Sequence, residues 1–140
     1  MDKMLNQYLA DLVVEYHKLQ NFHWYVKGKD FFVVHAKLEE LYDGINKAID
    51  AVAEANLING GKPIARLKDF LAISKIVEPE AKTISSDEIF KEVYADFEYL
   101  LNSSKAIKAK ADEESNYNIS AMMDSYIAEY SKMLWMIRSL

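Results

Sequence analysis

Apolar residues recur every three or four positions along almost the whole chain, and this spacing restricts the fold more than any other feature. An amphipathic helix buries one face, so its apolar residues repeat with that period. The chain has 140 residues, and only four glycines and two prolines interrupt it. The sequence therefore predicts long helices around an apolar core, in a single all-α domain that spans residues 1–140.

Four long helices and one short helix follow from this pattern and its interruptions. Asn59, Gly60 and Gly61 stop the second helix, and Ser85 followed by Glu88 predicts a capping box at the start of the third. The connection between these two helices is too long for a bare loop. A four-helix bundle with one such crossover has ferritin-like topology. The predicted bounds are about 5–23, 32–59, 85–111 and 119–137, with a short helix near 67–71.

Composition excludes several kinds of protein. The chain has no cysteine, so disulfides, zinc–thiolate sites and iron–sulfur clusters are excluded. No apolar run is long enough to cross a membrane, and the N-terminal residues do not have the pattern of a signal peptide. We therefore expect a cytoplasmic protein. The net charge of −5 opposes direct binding to nucleic acid.

The second helix carries a stripe of polar residues with the chemistry of metal ligands. At ~100° per residue, its four members lie on one side of the helix. His35 and Glu39 form one pair with i, i+4 spacing, and Asp50 and Glu54 form another. This spacing lets the two side chains of each pair converge on a shared point. Imidazole with carboxylates suits iron and other first-row transition metals. The stripe consists of His35, Glu39, Asp50 and Glu54.

One chain cannot bring both pairs to the same ion. His35 and Asp50 are 15 positions apart, which is about 22 Å along a helix, whereas metal–ligand bonds are near ~2 Å. Two antiparallel copies of the helix would place His35 of one opposite Asp50 of the other, and His23 could complete the site. The alternative is a pair of hydrogen-bonded core histidines with solvated carboxylates. The residues alone leave both interpretations open.

Three segments of the chain resemble the Dps family of mini-ferritins, the DNA-binding proteins from starved cells. The family pattern N-F-H-W-x-V-x-G…F…H…E/D-x-L-Y is similar to NFHWYVKGKDFFVVHAKLEELY. Its D-x-x-A-E-R…G-G-x-P segment is similar to DAVAEANLINGGKP, and its W-M-x-x-x-L ending is similar to KMLWMIRSL. The resemblance covers essentially the whole chain.

The resemblance implies an iron site, an activity and an assembly. It implies that His23 and His35 come from one subunit and Asp50 and Glu54 from its two-fold mate, with Glu39 lining the site. It also implies a ferroxidase that oxidises Fe(II), preferably with hydrogen peroxide. The Fe(III) mineral would be stored in a hollow dodecamer built from two-fold dimers, which protects the cell from oxidative damage.

The chain also departs from the family pattern. Ala55 stands where the family has an arginine, so we expect one salt bridge to be missing. Ala121 is the best match to an aspartate near the three-fold pore through which iron enters, and Asp112 matches another acid there. The larger ferritins carry E-x-x-H motifs, and none occurs in this sequence.

Two other functions remain to be compared with iron storage. One is DNA binding that protects the nucleoid, with iron chemistry secondary, and the other is a bundle without a metal function. DNA-binding Dps proteins often carry a basic tail. The helical pattern here begins by Leu5 and the chain ends at Leu140, so we expect no direct DNA binding. His17 is predicted to lie on the surface, and Trp24 either intercepts one-electron oxidants or packs at the dimer contact.

Overall fold

The computed structural model describes all 140 residues and contains five α-helices and no β-strand. Four long helices form a bundle, and a short helix lies within the crossover between the second and the third of these long helices. This architecture confirms the predicted all-α, ferritin-like bundle, with helix ends within a few residues of the predicted bounds. The helices are α1 (Asp2–Tyr25), α2 (Phe31–Ile58), α3 (Leu67–Ile73), α4 (Ser86–Glu113) and α5 (Tyr117–Arg138).

The helices enclose one apolar cluster. Helix α1 packs along α2, and α4 packs along α5, while α1 also contacts α3 and α4. Every helix contributes to the cluster, and Leu12, Leu38, Leu100 and Ile119 are completely buried within it. Burying a leucine or isoleucine side chain contributes roughly 1.5–3 kcal/mol, so this cluster stabilises the bundle. None of the helices is long and apolar enough to cross a membrane.

Side-chain caps fix where α4 and α5 begin. The hydroxyl of Ser85 accepts a hydrogen bond from the backbone N–H of Glu88 at 3.3 Å. Asn116 does the same for the N–H of Ile119 at 3.2 Å. Each bond satisfies a backbone donor that has no partner within its helix. The first bond confirms the predicted N-cap at Ser85, whereas the Glu88 carboxylate does not return the second bond of the predicted capping box.

The turn between α1 and α2 is braced by the end of the crossover. Gly28 has a φ of +150° in this turn, a conformation that a side chain would disfavour. The backbone N–H of Lys27 donates to the carbonyl of Ile84 at 3.0 Å, and the N–H of Ile84 donates to the carbonyl of Tyr25 at 3.2 Å. The segment before α4 therefore holds the turn that connects the two histidine-bearing helices.

The start of the crossover is tied to the first turn of α1. One carboxylate oxygen of Asp2 accepts hydrogen bonds from the side chain of Asn56 at 2.9 Å and from the backbone N–H of Lys62 at 2.8 Å. The hydrogen bond from Lys62 is the main reason that the pKa of Asp2 lies below its ordinary value. The side chain of Asn6 also donates to the carbonyl of Lys62 at 3.0 Å. These bonds join the beginning of α1 to the end of α2.

Replacing Gly61 with alanine tests this junction. A Cβ atom at Gly61 would lie 2.1 Å from Oδ1 of Asn56 and 2.6 Å from Oδ1 of Asp2. We expect Gly61→Ala to lower the free energy of unfolding by about 1–3 kcal/mol, because the carboxylate and the amide would have to move apart. Gly44 is the matched control, since it lies in α2 with open space around the added Cβ.

Gly44→Ala should raise the free energy of unfolding by about 0.5–1 kcal/mol, because alanine favours the helix. Urea denaturation of both variants at one subunit concentration measures the difference. Equal effects of the two substitutions would contradict the proposed crowding at Gly61.

Candidate metal centre

Two imidazole rings meet where α1 ends and α2 begins. His23 lies in the last turn of α1, and His35 lies in the second turn of α2. The short turn through Gly28 brings these helix ends together. The two rings stack with their centroids 3.6 Å apart and their planes 12° from parallel. The histidines are therefore neighbours in space although twelve positions separate them in sequence.

Reciprocal hydrogen bonds fix both rings. Nδ1 of His23 lies 2.7 Å from the backbone oxygen of His35, and Nδ1 of His35 lies 2.8 Å from the backbone oxygen of His23. A carbonyl oxygen only accepts, so each Nδ1 carries the proton of its hydrogen bond. In the neutral ring this leaves the lone pair on Nε2. Such a bond orients an imidazole and makes it a better metal ligand.

Aromatic side chains enclose the stacked rings. Phe31 stacks on His35 with a centroid distance of 4.8 Å. Tyr42 meets His23 edge to face at 5.3 Å and Tyr16 at 5.6 Å. The side chain of His23 is buried as a result. No role at the site was predicted from the sequence for Phe31 or Tyr42. Phe31 lies four positions before His35 and Tyr42 three positions after Glu39, and these helical spacings place both beside the site.

Of the three carboxylates that the sequence predicted as ligands, only Glu39 approaches these rings within the same chain. Its Oε1 atom lies 4.0 Å from Nε2 of His23. The hydroxyl of Tyr42 donates a hydrogen bond to the same oxygen at 3.3 Å. Glu39 remains largely exposed, so its carboxylate can still move. The structure therefore places Glu39 beside His23, which stacks on His35.

Asp50 and Glu54 lie elsewhere on the chain. Helix α2 is continuous from Phe31 to Ile58, so Asp50 is about 22 Å along the axis from His35. Both carboxylates are exposed. Within one chain, no three histidine, aspartate or glutamate side chains come together in a way that could hold a metal ion. A site that combined the two imidazoles with Asp50 and Glu54 would therefore need ligands from a second chain.

His17 and Trp24 lie outside the stacked pair. The ring of His17 contacts Trp24 edge to face at 5.8 Å, and both side chains are exposed. Nδ1 of His17 pairs with the side-chain oxygen of Gln20 at 3.2 Å. The third histidine is thus a surface residue, as its position on α1 predicted.

Comparison with known proteins identifies the family. The ferritin-like domain family matches residues 2–140. The chain is 37% identical to DNA protection during starvation protein 2 of Bacillus anthracis, over 98% of this chain and 93% of that relative. The chain belongs to the Dps branch of the ferritin-like family.

Solved Dps structures share the fold of this Dps chain. A Dps protein from Bacillus brevis has a TM-score of 0.94 and 38% identity, over 99% of this chain and 92% of that chain. Dps from Vibrio cholerae O1 has a TM-score of 0.94 and 31% identity, over 99% and 86% of the two chains. The latter is described as a member of a superfamily of ferritin-like diiron-carboxylate proteins. The family and the fold that the sequence predicted are confirmed, and iron binding is consistent with this family.

Replacing one stacked histidine separates ligand chemistry from packing. His35→Phe keeps an aromatic ring between Phe31 and His23 but removes both ring nitrogens. We expect it to weaken Co²⁺ binding by about tenfold or more, because a ligand is lost and the His23 carbonyl loses its donor. Anaerobic titration of the assembled protein, followed by the visible absorption of bound Co²⁺, measures the affinity.

His17→Phe is the matched control, because His17 is exposed and does not contact the stacked pair. Its Co²⁺ affinity should equal that of the unmodified protein. Comparable losses in both variants, or an unchanged affinity in His35→Phe, would show that the stacked pair does not bind metal.

Proposed function

We propose that this Dps chain oxidises Fe(II) at sites shared by two subunits and stores the product as Fe(III) mineral. Each site would combine His23, His35 and Glu39 of one chain with Asp50 and Glu54 of the partner subunit. The observation that carries this proposal is the pair of imidazoles with fixed Nδ1 protons and available Nε2 atoms. Two-fold symmetry would supply the missing carboxylates.

An antiparallel contact between two copies of α2 fits this requirement. Around a two-fold axis, residues whose numbers add to about 85 face each other, so His35 would face Asp50 of the partner subunit. The same axis generates a second, equivalent site. Asp50 and Glu54 are exposed and make no ion pair or side-chain hydrogen bond within their own chain, so they are available to a partner subunit.

The side chains would bind iron as substrate and hold it for oxidation. The carboxylates offset the charge of Fe(II), which increases on oxidation, and the imidazoles complete a set of nitrogen and oxygen ligands. Hydrogen peroxide takes up two electrons and two protons to form two water molecules, so it oxidises two Fe(II) ions. Transfer of both electrons at a protein site avoids release of free hydroxyl radical. The hydrogen bonds to the two backbone carbonyls would keep the imidazoles oriented through this change.

Exposed apolar side chains support assembly into the proposed hollow dodecamer. Phe32 and Val33 at one end of α2 are 85% and 74% exposed, and Ile58 at its other end is 75% exposed. Leu140 is 83% exposed at the end of the chain. Apolar side chains exposed in groups mark contacts with other proteins. Copies of this chain are the proposed partners, and the interior of their shell would hold the mineral.

The choice of oxidant is the first test of this function. We expect the assembled protein to oxidise Fe(II) faster with hydrogen peroxide than with oxygen when the amounts of the two oxidants can accept the same number of electrons. Stopped-flow absorbance of the Fe(III) product measures both rates. The control is a variant with His23→Ala and His35→Ala, which should lose most of the rate with either oxidant. A faster reaction with oxygen would contradict the proposed peroxide preference.

Mixing two inactive variants tests whether two chains build each site. One variant carries His23→Ala and His35→Ala, and the other carries Asp50→Ala and Glu54→Ala. Each should assemble but oxidise iron poorly, because every site lacks part of its ligands. After denaturation and joint reassembly, about half of the dimers should be mixed, and about a quarter of all sites should regain every ligand.

The recovered activity distinguishes the two arrangements. A site contained in one chain would stay incomplete in every mixture. Activity at the level of the separate variants, in particles whose size confirms reassembly, would therefore disprove the shared site. Each variant reassembled alone is the control for damage during denaturation.

DNA protection is a second candidate function because curated relatives carry that name. Direct contact with DNA would have to overcome the repulsion between phosphates and a chain whose net charge is −5. Removal of Fe(II) and peroxide would protect DNA without any contact. The proposed iron chemistry therefore accounts for protection more simply than direct binding does.

A further inference from the structure

A carboxylate lies inside the bundle where the sequence pattern places an apolar side chain. Glu15 is on the buried face of α1, three positions after Leu12 and four before Leu19. Its side chain is completely buried, and neither of its oxygens has a hydrogen-bond partner. An ionised carboxylate left in this state would cost several kcal/mol. The iron site does not use Glu15, so its burial needs a separate explanation.

Charged groups of α1 and α4 surround Glu15. The negative charge of Asp96 on α4 acts on Glu15 most strongly among the acidic side chains, and that of Glu92 acts more weakly. The ammonium group of Lys18 lies 2.8 Å from Asp96 and 3.2 Å from Glu92. The single buried cation of this cluster is therefore already paired with two other carboxylates. Glu15 gains little compensation from it.

We propose that the bundle interior binds one proton between Glu15 and Asp96, with Glu15 as a neutral acid that donates a hydrogen bond to the Asp96 carboxylate. This arrangement removes the unpaired buried charge. Lys18 then balances the charge that remains on Asp96, and Glu92 faces the solvent at the edge of the cluster.

The pKa values of the cluster agree with this assignment. The pKa of Glu15 lies well above its ordinary value, because burial penalises the carboxylate and the negative charge of Asp96 adds to that penalty. Burial alone would lower the pKa of Lys18, but the hydrogen bond and charge of Asp96 outweigh it, so this pKa is raised. Lys18 therefore stays charged while Glu15 stays neutral.

Infrared spectroscopy of the assembled protein at neutral pH tests the bound proton directly. Ordinary carboxyl groups are ionised there, so we expect one remaining carboxylic-acid C=O band for each chain. Labelling the glutamate side-chain carboxyl groups with ¹³C should shift this band in the unmodified protein, which shows that the acid is a glutamate. Glu15→Gln should remove the band, and Glu98→Gln, at an exposed position of α4, should retain it. A spectrum of the unmodified protein without this band would overturn the proposal.

The pH dependence of unfolding gives a second, independent measurement. The unfolded chain releases the Glu15 proton above its ordinary pKa of 4.5, whereas the folded chain retains it, so rising pH favours unfolding. From about pH 5 to about pH 7, the unfolding constant of the unmodified protein should rise by up to about tenfold per pH unit relative to that of Glu15→Gln.

Urea denaturation of the assembled proteins at one subunit concentration provides these constants. The ratio of the unfolding constant of the unmodified protein to that of Glu98→Gln should not change with pH. If the corresponding ratio for Glu15→Gln were also independent of pH, the proposal would be overturned. If Glu15→Gln fails to assemble, the labelled band of the unmodified protein still decides the result.

Discussion

The two hydrogen bonds between the His23 and His35 side chains and each other's backbone carbonyls are the contact on which the proposed site depends. They join the end of α1 to the start of α2. They also set the tautomer of both rings and leave Nε2 available to a metal ion. Gly28 and the backbone bonds to Ile84 brace the same turn. The α1–α2 connection therefore orients both of the imidazoles that we propose as metal ligands.

The length of α2 links the proposed chemistry to assembly. A continuous helix from Phe31 to Ile58 holds Asp50 and Glu54 far from the histidines of the same chain. A helix is too stiff to bring them together, so the proposed iron site exists only where two chains meet. Isolated subunits would have part of a site and would hold iron weakly. Oxidation would then be confined to assembled particles, where the mineral can be enclosed.

The bundle interior, in contrast, contains charges that the proposed iron chemistry does not use. The buried Lys18 pairs with the half-buried Asp96, and the buried Glu15 adds a carboxyl group to this cluster. Replacing such groups with apolar side chains often leaves stability unchanged or raises it. Their cost is compensated in part by the apolar cluster that all five helices share. One bound proton would reduce the cost further by leaving the cluster with a single buried negative charge beside Lys18.

The sequence by itself determined the helices, the crossover and the membership in the Dps branch, because periodicity, caps and motifs are local properties of the chain. It also indicated that His35 and Asp50 cannot bind one ion within a chain, since helix geometry fixes their separation. Only the tertiary structure showed that the imidazoles stack, that Phe31 and Tyr42 enclose them, and that Glu15 is buried beside Asp96. These features depend on how side chains from different helices meet. The spacing of residues along one helix predicts which face of the helix a residue occupies, but the packing of the bundle determines what that face contacts.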